Sequence, residues 1–145
     1  MADSKLHATG AAPTDHGADA HVAPLGAQRQ VFIRDLILPC NIGVHRHELT
    51  APQRVRINLD LTVRDGDIPI NDSLRNVVCY GEVVTGVRLI VDAGHINLVE
   101  TLAERLAGFC LKDPRVESVR VRVEKLDVFP DVASVGTEIV RTRTP

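Results

Sequence analysis

Residues 54–64 read RVRINLDLTVR, and this stretch alternates apolar and polar side chains without a break. The apolar set is Val55, Ile57, Leu59, Leu61 and Val63, and the polar set between them is Arg56, Asn58, Asp60 and Thr62. A period of two is the spacing at which side chains point to the same face of a strand. The pattern predicts a strand with one buried and one solvated face, so the fold needs a layer that covers the apolar side.

Three more strands and two helices are predicted around this strand. The strands are predicted over 31–39, 116–125 and 134–141, with polar or turn-like segments at 40–53 and 65–73. Apolar residues at helical spacing predict helices over 80–93 and 98–111. The first stripe is Val83, Val84, Val87, Ile90 and Val91, and the second is Leu98, Leu102, Ala103, Leu106, Ala107 and Cys110. The order ββααββ favours an antiparallel α+β fold over a doubly wound sheet.

The bulk composition limits the function classes. The 145 residues suit one domain, which we expect to span 28–145 after a disordered tail, 1–27, rich in Ala, Gly, Pro and His. A net charge of -2, with arginines and acids interleaved, argues against a nucleic-acid partner. No stretch resembles a membrane span or a signal peptide. Three widely spaced cysteines without a CxxC pair indicate a reducing compartment, so we predict a cytoplasmic protein.

Lys125 is the clearest anomaly in the alternating pattern. It continues the face of Val119, Val121 and Val123 at the end of the third strand, where an apolar residue is expected. Either its ammonium group reaches solvent at the strand end, or the side chain lines a cavity. In a cavity, loss of solvation favours the neutral amine, which can accept a proton in acid–base catalysis.

Glu100 and Tyr80 each have a structural and a chemical interpretation. Glu100 fits a capping box with Asn97 as the N-cap, or its carboxylate accepts hydrogen bonds from a ring amide. Tyr80 is the only tyrosine and opens the first helix. It is either a packing residue, an interface anchor or part of a surface groove.

Glu48 lies in a polar turn beside His45 and His47, and this H-x-H-E cluster raises the question of a metal site. No histidine pair at helical spacing accompanies the cluster, and His95 is the only other histidine in the predicted domain. We therefore predict no metal.

Four segments, in this order, resemble the dihydroneopterin aldolase family. The segment IGVHRHE at 42–48 is similar to the family's glycine-valine turn, and CYGEVV at 79–84 is similar to its tyrosine-bearing helix start. NLVETLAERLA at 97–107 matches its most recognisable helix, and VRVRVEK at 119–125 matches its lysine-bearing strand. One such motif is weak evidence, but four in register over about a hundred residues form a strong resemblance.

The resemblance implies the tunnelling fold, in which a four-stranded antiparallel sheet carries two helices on one face. Copies close into an oligomeric barrel, a tetramer or octamer, with active sites between subunits. It also implies a lyase of folate biosynthesis that splits 7,8-dihydroneopterin into 6-hydroxymethyl-7,8-dihydropterin and glycolaldehyde. The dihydropterin ring takes up the electron pair, so no cofactor, Schiff base or metal is expected.

The same resemblance assigns roles to five residues. Glu100 and the backbone of Val99 anchor the pterin, and Tyr80 from the adjacent chain borders its ring. Lys125 and Tyr80 handle protons through an ordered water, and Glu48 helps to hold the hydroxyls of the substrate side chain. The expected catalytic residues are therefore Lys125, Tyr80 and Glu48.

Two departures from the family pattern leave more than one function open. Cys79 stands where the family usually has Asn or Ser, and Leu126 follows Lys125 where many members have proline. The Lys-Leu pair is also similar to the sister enzyme that epimerises dihydroneopterin triphosphate at the 2′ carbon. A triphosphate needs a basic pocket, yet strand parity places Arg120 and Arg122 opposite Lys125. A non-catalytic pterin-binding ring protein and a zinc-dependent relative of the fold also stay open.

Overall fold

The computed structural model describes residues 26–66 and 69–144. The strands are β1 (Gln28–Cys40), β2 (Gln53–Arg64), β3 (Val116–Lys125) and β4 (Val135–Thr142), and the helices are α1 (Tyr80–Asp92) and α2 (Val99–Cys110). Short 3-10 turns at Arg46–Glu48 and Leu74–Asn76 precede β2 and α1. All but the last two residues of the tail predicted over 1–27 lie outside the described residues, so its predicted disorder stays a prediction.

The four strands form one antiparallel sheet in the order β1-β2-β3-β4. Helix α1 packs near β1, and α2 packs against β3 and β4, so both helices cover the same face. The predicted four-stranded antiparallel sheet with two helices on one face is confirmed. In the described part of the chain, β1 and β4 each have one neighbouring strand, which leaves an open edge on either side of the sheet.

The register of β2 against β3 explains why the apolar face is continuous. Ile57 lies opposite Val123, and Leu59 lies opposite Val121. All four side chains are fully buried. Each such aliphatic side chain contributes about 1.5–3 kcal/mol on burial. The core is built from Val, Leu, Ile and Ala with two cysteines, Cys40 and Cys110.

The solvated face of the sheet carries cross-strand ion pairs. Arg34 pairs with Asp60 at 2.8 Å, which joins β1 to β2. Arg56 donates from Nε and Nη2 to both carboxylate oxygens of Glu124, at 2.9 and 2.8 Å, which joins β2 to β3. Hydrogen bonds from Arg56 and Ser134 outweigh the opposing effect of burial and lower the pKa of Glu124 to about 2. This carboxylate is ionised at neutral pH and helps to fix the pairing of the strands.

The prediction that Leu98 belongs to the buried apolar stripe of α2 is wrong. Leu98 is 48% exposed because it is the N-cap residue with an extended backbone, so it precedes the first helical turn and does not share its buried face. The stripe that is buried begins at Leu102 and continues through Cys110.

Candidate functional site

Glu48 and Lys125 meet at one end of the sheet. Lys125 is the last residue of β3 and pairs with Val55 near the start of β2, while Glu48 ends the 3-10 turn just before β2. Lys125 Nζ lies 2.7 Å from Glu48 Oε2, and the two side chains are 15% and 2% exposed. The ammonium group therefore ends on a carboxylate in a mostly buried position, where it forms a charge-assisted hydrogen bond.

The Glu48 carboxylate has three hydrogen-bond donors around it. Besides Lys125, the backbone N–H of His45 donates to Oε1 at 3.2 Å, and Gln53 Nε2 donates to Oε2 at 2.8 Å. Burial alone would raise the pKa of Glu48, but the hydrogen bonds from Lys125, Gln53 and His45 outweigh it and lower the pKa to about 2. Glu48 is therefore a fixed anion at neutral pH and a poor proton acceptor.

Gln53 is a member of this cluster that the sequence analysis missed. It is the first residue of β2, and its Nε2 also donates to the carbonyl of Ile42 at 2.8 Å. Gln53 lies two residues before Val55, so it is a polar residue on the apolar face of β2. The alternation that marks Lys125 on β3 therefore marks Gln53 on β2 as well.

Gly43 shapes the loop that carries Glu48. Its φ of 126° lies in the region that favours glycine, and a Cβ added there would lie 2.2 Å from Glu48 Cδ. The Gly43 N–H donates to the carbonyl of Ile96 at 2.9 Å, and the Ile96 N–H donates to the carbonyl of Asn41 at 2.9 Å. The Glu48 loop is thus paired with the segment that leads into α2.

Glu100 and Val99 lie at the start of that helix. Val99 is the first helical residue and Glu100 the second, and the N-cap is Leu98 without a side-chain capping bond. The predicted capping box with Asn97 is therefore wrong, because the helix begins one residue later than the box requires. Glu100 is exposed, and within the described residues its carboxylate makes no hydrogen bond or ion pair. The helix N-terminus favours its negative charge, which leaves an anionic acceptor open to a ligand.

Tyr80 lies at the other end of the molecule. It is the first residue of α1 and is 70% exposed. Its neighbour Cys79 and the first residue of β3, Val116, both line a cavity of ≈ 570 Å³. Strand β3 runs from Val116 to Lys125. At about 3.3 Å per residue, the end of β3 near Tyr80 is therefore roughly 30 Å from the end that carries Lys125. Within one chain, Tyr80 is not brought to Lys125.

Within the described residues, His45, His47 and the cysteines do not form a group that could bind a metal ion. The rings of His45 and His47 stack with centroids 6.1 Å apart. In residues 26–66 and 69–144, no three His, Cys, Asp or Glu side chains are grouped so that they could hold a metal. Burial raises the pKa of the Cys40 and Cys110 thiols to about 11, so both are inert at neutral pH.

No helix in the described residues is long and apolar enough to cross a bilayer.

Comparison with known proteins identifies the family of this chain. The family model for dihydroneopterin aldolase (FolB) matches residues 31–140. The chain belongs to the dihydroneopterin aldolase family. This match confirms the resemblance on which the sequence prediction relied, and it includes Glu48, Tyr80, Glu100 and Lys125. The roles of these residues stay predictions.

Individual family members resemble the chain over most of their length. The dihydroneopterin aldolase of Streptomyces coelicolor is 35% identical over 119 residues, which are 79% of this chain and 98% of the relative. The crystal structure of the Burkholderia thailandensis dihydroneopterin aldolase bound to guanine has a TM-score of 0.70 at 37% identity and covers 81% of this chain and 93% of its own. The Escherichia coli dihydroneopterin aldolase in complex with neopterin has a TM-score of 0.72 at 26% identity, with coverage of 78% and 98%.

Proposed function

We propose that the protein is a dihydroneopterin aldolase, a lyase that converts 7,8-dihydroneopterin into 6-hydroxymethyl-7,8-dihydropterin and glycolaldehyde for folate biosynthesis. The observation that carries the proposal is the buried pair of Glu48 and Lys125, 2.7 Å apart, in a chain that the family model matches over 31–140. Three free cysteines suit a reducing compartment, so we place the reaction in the cytoplasm.

Glu100 is the residue that we propose to recognise the ring. Guanine and neopterin, bound by the Burkholderia and Escherichia coli relatives, share a pyrimidinone ring with a 2-amino group and an adjacent N–H. One carboxylate can accept both hydrogens in a bidentate, charge-assisted arrangement. The exposed Glu100 carboxylate is suited to this role, with the backbone of Val99 beside it.

The reaction needs one proton to leave and another to arrive. Removal of the 2′-hydroxyl proton breaks the bond between C1′ and C2′, and the carbons C2′ and C3′ depart as glycolaldehyde. The electron pair of that bond passes through C6 into the dihydropterin ring, which serves as the sink. C1′ then takes up a proton to become the hydroxymethyl group. One group that exchanges protons with a water can serve both steps, because no net proton is consumed.

We assign this proton exchange to Lys125 and Tyr80, acting through an ordered water. Glu48 does not serve as the base, because a pKa of about 2 makes its carboxylate too weak a proton acceptor at neutral pH. It positions Lys125 Nζ, which lies 2.7 Å from its Oε2, and helps to hold the substrate hydroxyls. Such positioning supplies a large part of the rate enhancement in reactions of this kind.

We also propose that the site is shared between copies of the chain in a ring, a tetramer or an octamer. Tyr80 lies roughly 30 Å of strand length from Lys125 in its own chain, and its exposed ring supports contact with a neighbouring copy. The open edges of β1 and β4 offer the backbone groups that would join the sheets.

The test supplies the purified protein with 7,8-dihydroneopterin and, separately, with its triphosphate. Glycolaldehyde from free dihydroneopterin, lost in Lys125→Ala, is the expected result. Epimerised triphosphate without glycolaldehyde would instead assign the sister activity. That outcome is disfavoured, because Arg120 and Arg122 lie on the solvated face and already contact Glu138 at 3.3 and 3.4 Å. Pterin binding without turnover of either substrate would indicate a non-catalytic ring protein.

A further inference from the structure

We propose that His95 is a positioning residue for the aldol cleavage and holds the Glu48 loop in register with the start of α2. The inference rests on the proposed function, but its structural part is independent of it. His95 Nε2 lies 2.8 Å from the carbonyl oxygen of Gly43, although 52 residues separate the two in sequence. Thus one side chain joins the loop of Glu48 to the segment that ends at Glu100.

The chemistry of this bond fixes which atom carries the proton. A carbonyl oxygen only accepts hydrogen bonds, so Nε2 of His95 must donate. Both the imidazolium and the neutral tautomer with its hydrogen on Nε2 can do so. The link therefore persists in either charge state of the ring.

The hydrogen bond from His95 acts on Gly43, the residue on which the shape of the Glu48 loop depends. Gly43 has no side chain, and its backbone lies so close to Glu48 that a Cβ would overlap Cδ. Glycine has the largest conformational freedom of any residue, so a loop that depends on Gly43 needs external restraint. Two backbone hydrogen bonds that involve Ile96 supply part of it. His95 adds a third link, which directly restrains the Gly43 carbonyl.

The hydrogen bond between His95 and Gly43 sets the position of the Glu48 loop relative to Glu100, two parts of the site for which we propose different tasks. Glu48 and Lys125 lie on one side of the link, and Glu100 lies five residues beyond His95 on the other. Helix α2 is itself anchored by the buried Leu102 and Ala103, so ring recognition by Glu100 survives loss of the link. The Glu48 side of the site loosens instead, and small misplacements at a reacting centre lower the rate more than the binding.

The experiment compares His95→Ala, His95→Gln and the control His47→Ala. Glutamine keeps an N–H donor of similar reach. His47 is an exposed histidine whose ring makes no hydrogen bond in the part of the chain that the structure describes. The readouts are kcat and KM for glycolaldehyde release, and hydrogen exchange at the amides of Gly43 and Ile96 in the free protein.

We expect His95→Ala to lower kcat roughly three- to tenfold, the effect of one hydrogen bond, with KM changed less than about twofold. His95→Gln should restore kcat, and His47→Ala should match the wild type. Exchange at Gly43 and Ile96 should quicken in His95→Ala and recover in His95→Gln. Unchanged kcat or unchanged exchange in His95→Ala, or equal impairment of the Ala and Gln variants, would overturn the inference. A wild-type protein that releases no glycolaldehyde would overturn the proposed function instead, while the exchange data would still decide whether His95 couples the two loops.

Discussion

The Glu48–Lys125 pair gives a sharp stability test, because water reaches the two side chains to different extents. The Glu48 side chain is 2% exposed, and the Lys125 side chain is 15% exposed at the end of a strand. Removing Lys125 leaves a carboxylate that cannot turn to solvent. Removing the charge of Glu48 leaves an ammonium group on a long chain that can. Lys125→Met should therefore destabilise the fold more than Glu48→Gln.

The pKa of Glu48 sets the size of these effects. Its lowering from 4.5 to about 2 corresponds to about 3 kcal/mol of net interaction with all partners together. We expect Lys125→Met to lower the free energy of unfolding by about 2–4 kcal/mol and Glu48→Gln by about 1–2 kcal/mol. Because the double variant removes both charges, it should lose only about 2 kcal/mol, so the two effects are not additive.

The assay is urea unfolding of the four proteins at one fixed protomer concentration, since assembly contributes to apparent stability. The stabilisation that Glu48 gives is present above its unfolded pKa, 4.5, and is lost as pH falls towards about 2. In Lys125→Met the pKa of Glu48 is less depressed, so the difference in unfolding free energy from the wild type should narrow as pH falls from about 4.5 towards about 2. Additive single effects, or a gap that does not change with pH, would refute this account of the pair.

Four further variants test other parts of the structure. Gly43→Ala should lose more than about 2 kcal/mol of stability, measured by thermal unfolding, because of its positive φ and its overlap with Glu48. Gly86→Ala places a Cβ 1.9 Å from Phe109 Cζ and should destabilise by about 1–3 kcal/mol. The open position Gly108 should gain up to about 1 kcal/mol when replaced by alanine, and equal effects at both would contradict the packing. Glu124→Gln should flatten the loss of stability that acid causes between about pH 5 and pH 2, because the pKa of Glu124 is also lowered.

The fold could be predicted because the strands alternate so strictly. The same parity that predicts the buried face of β2 places Lys125 beside Val55, and it would also have found Gln53. The bounds of β3 match the prediction, and those of the other elements differ by at most three residues. These features depend on neighbours in sequence and on one strand pairing.

The start of α2 and the role of His95 depend on contacts that the sequence pattern does not contain. Asparagine is a favoured N-cap residue, so the sequence around Asn97 predicts a cap there. The parallel pairing of Ile42 with Ile96 fixes the segment just before it. Leu98 becomes the N-cap in consequence, and the capping box is lost. The His95 bond joins two loops whose proximity appears only when the sheet and the helices have been assembled.

The central claim is that Lys125 of one chain works with Tyr80 of another, and activity restored by mixing chains tests it most directly. Lys125→Ala and Tyr80→Ala proteins are each assayed for glycolaldehyde release, then unfolded together and refolded at equal amounts. If neighbouring chains share each site, random assembly leaves about a quarter of the sites with both residues intact. We predict that the mixture recovers about that fraction of wild-type activity. If the mixture is no more active than its two components, the shared site is wrong and the proton-transfer residues belong to one chain.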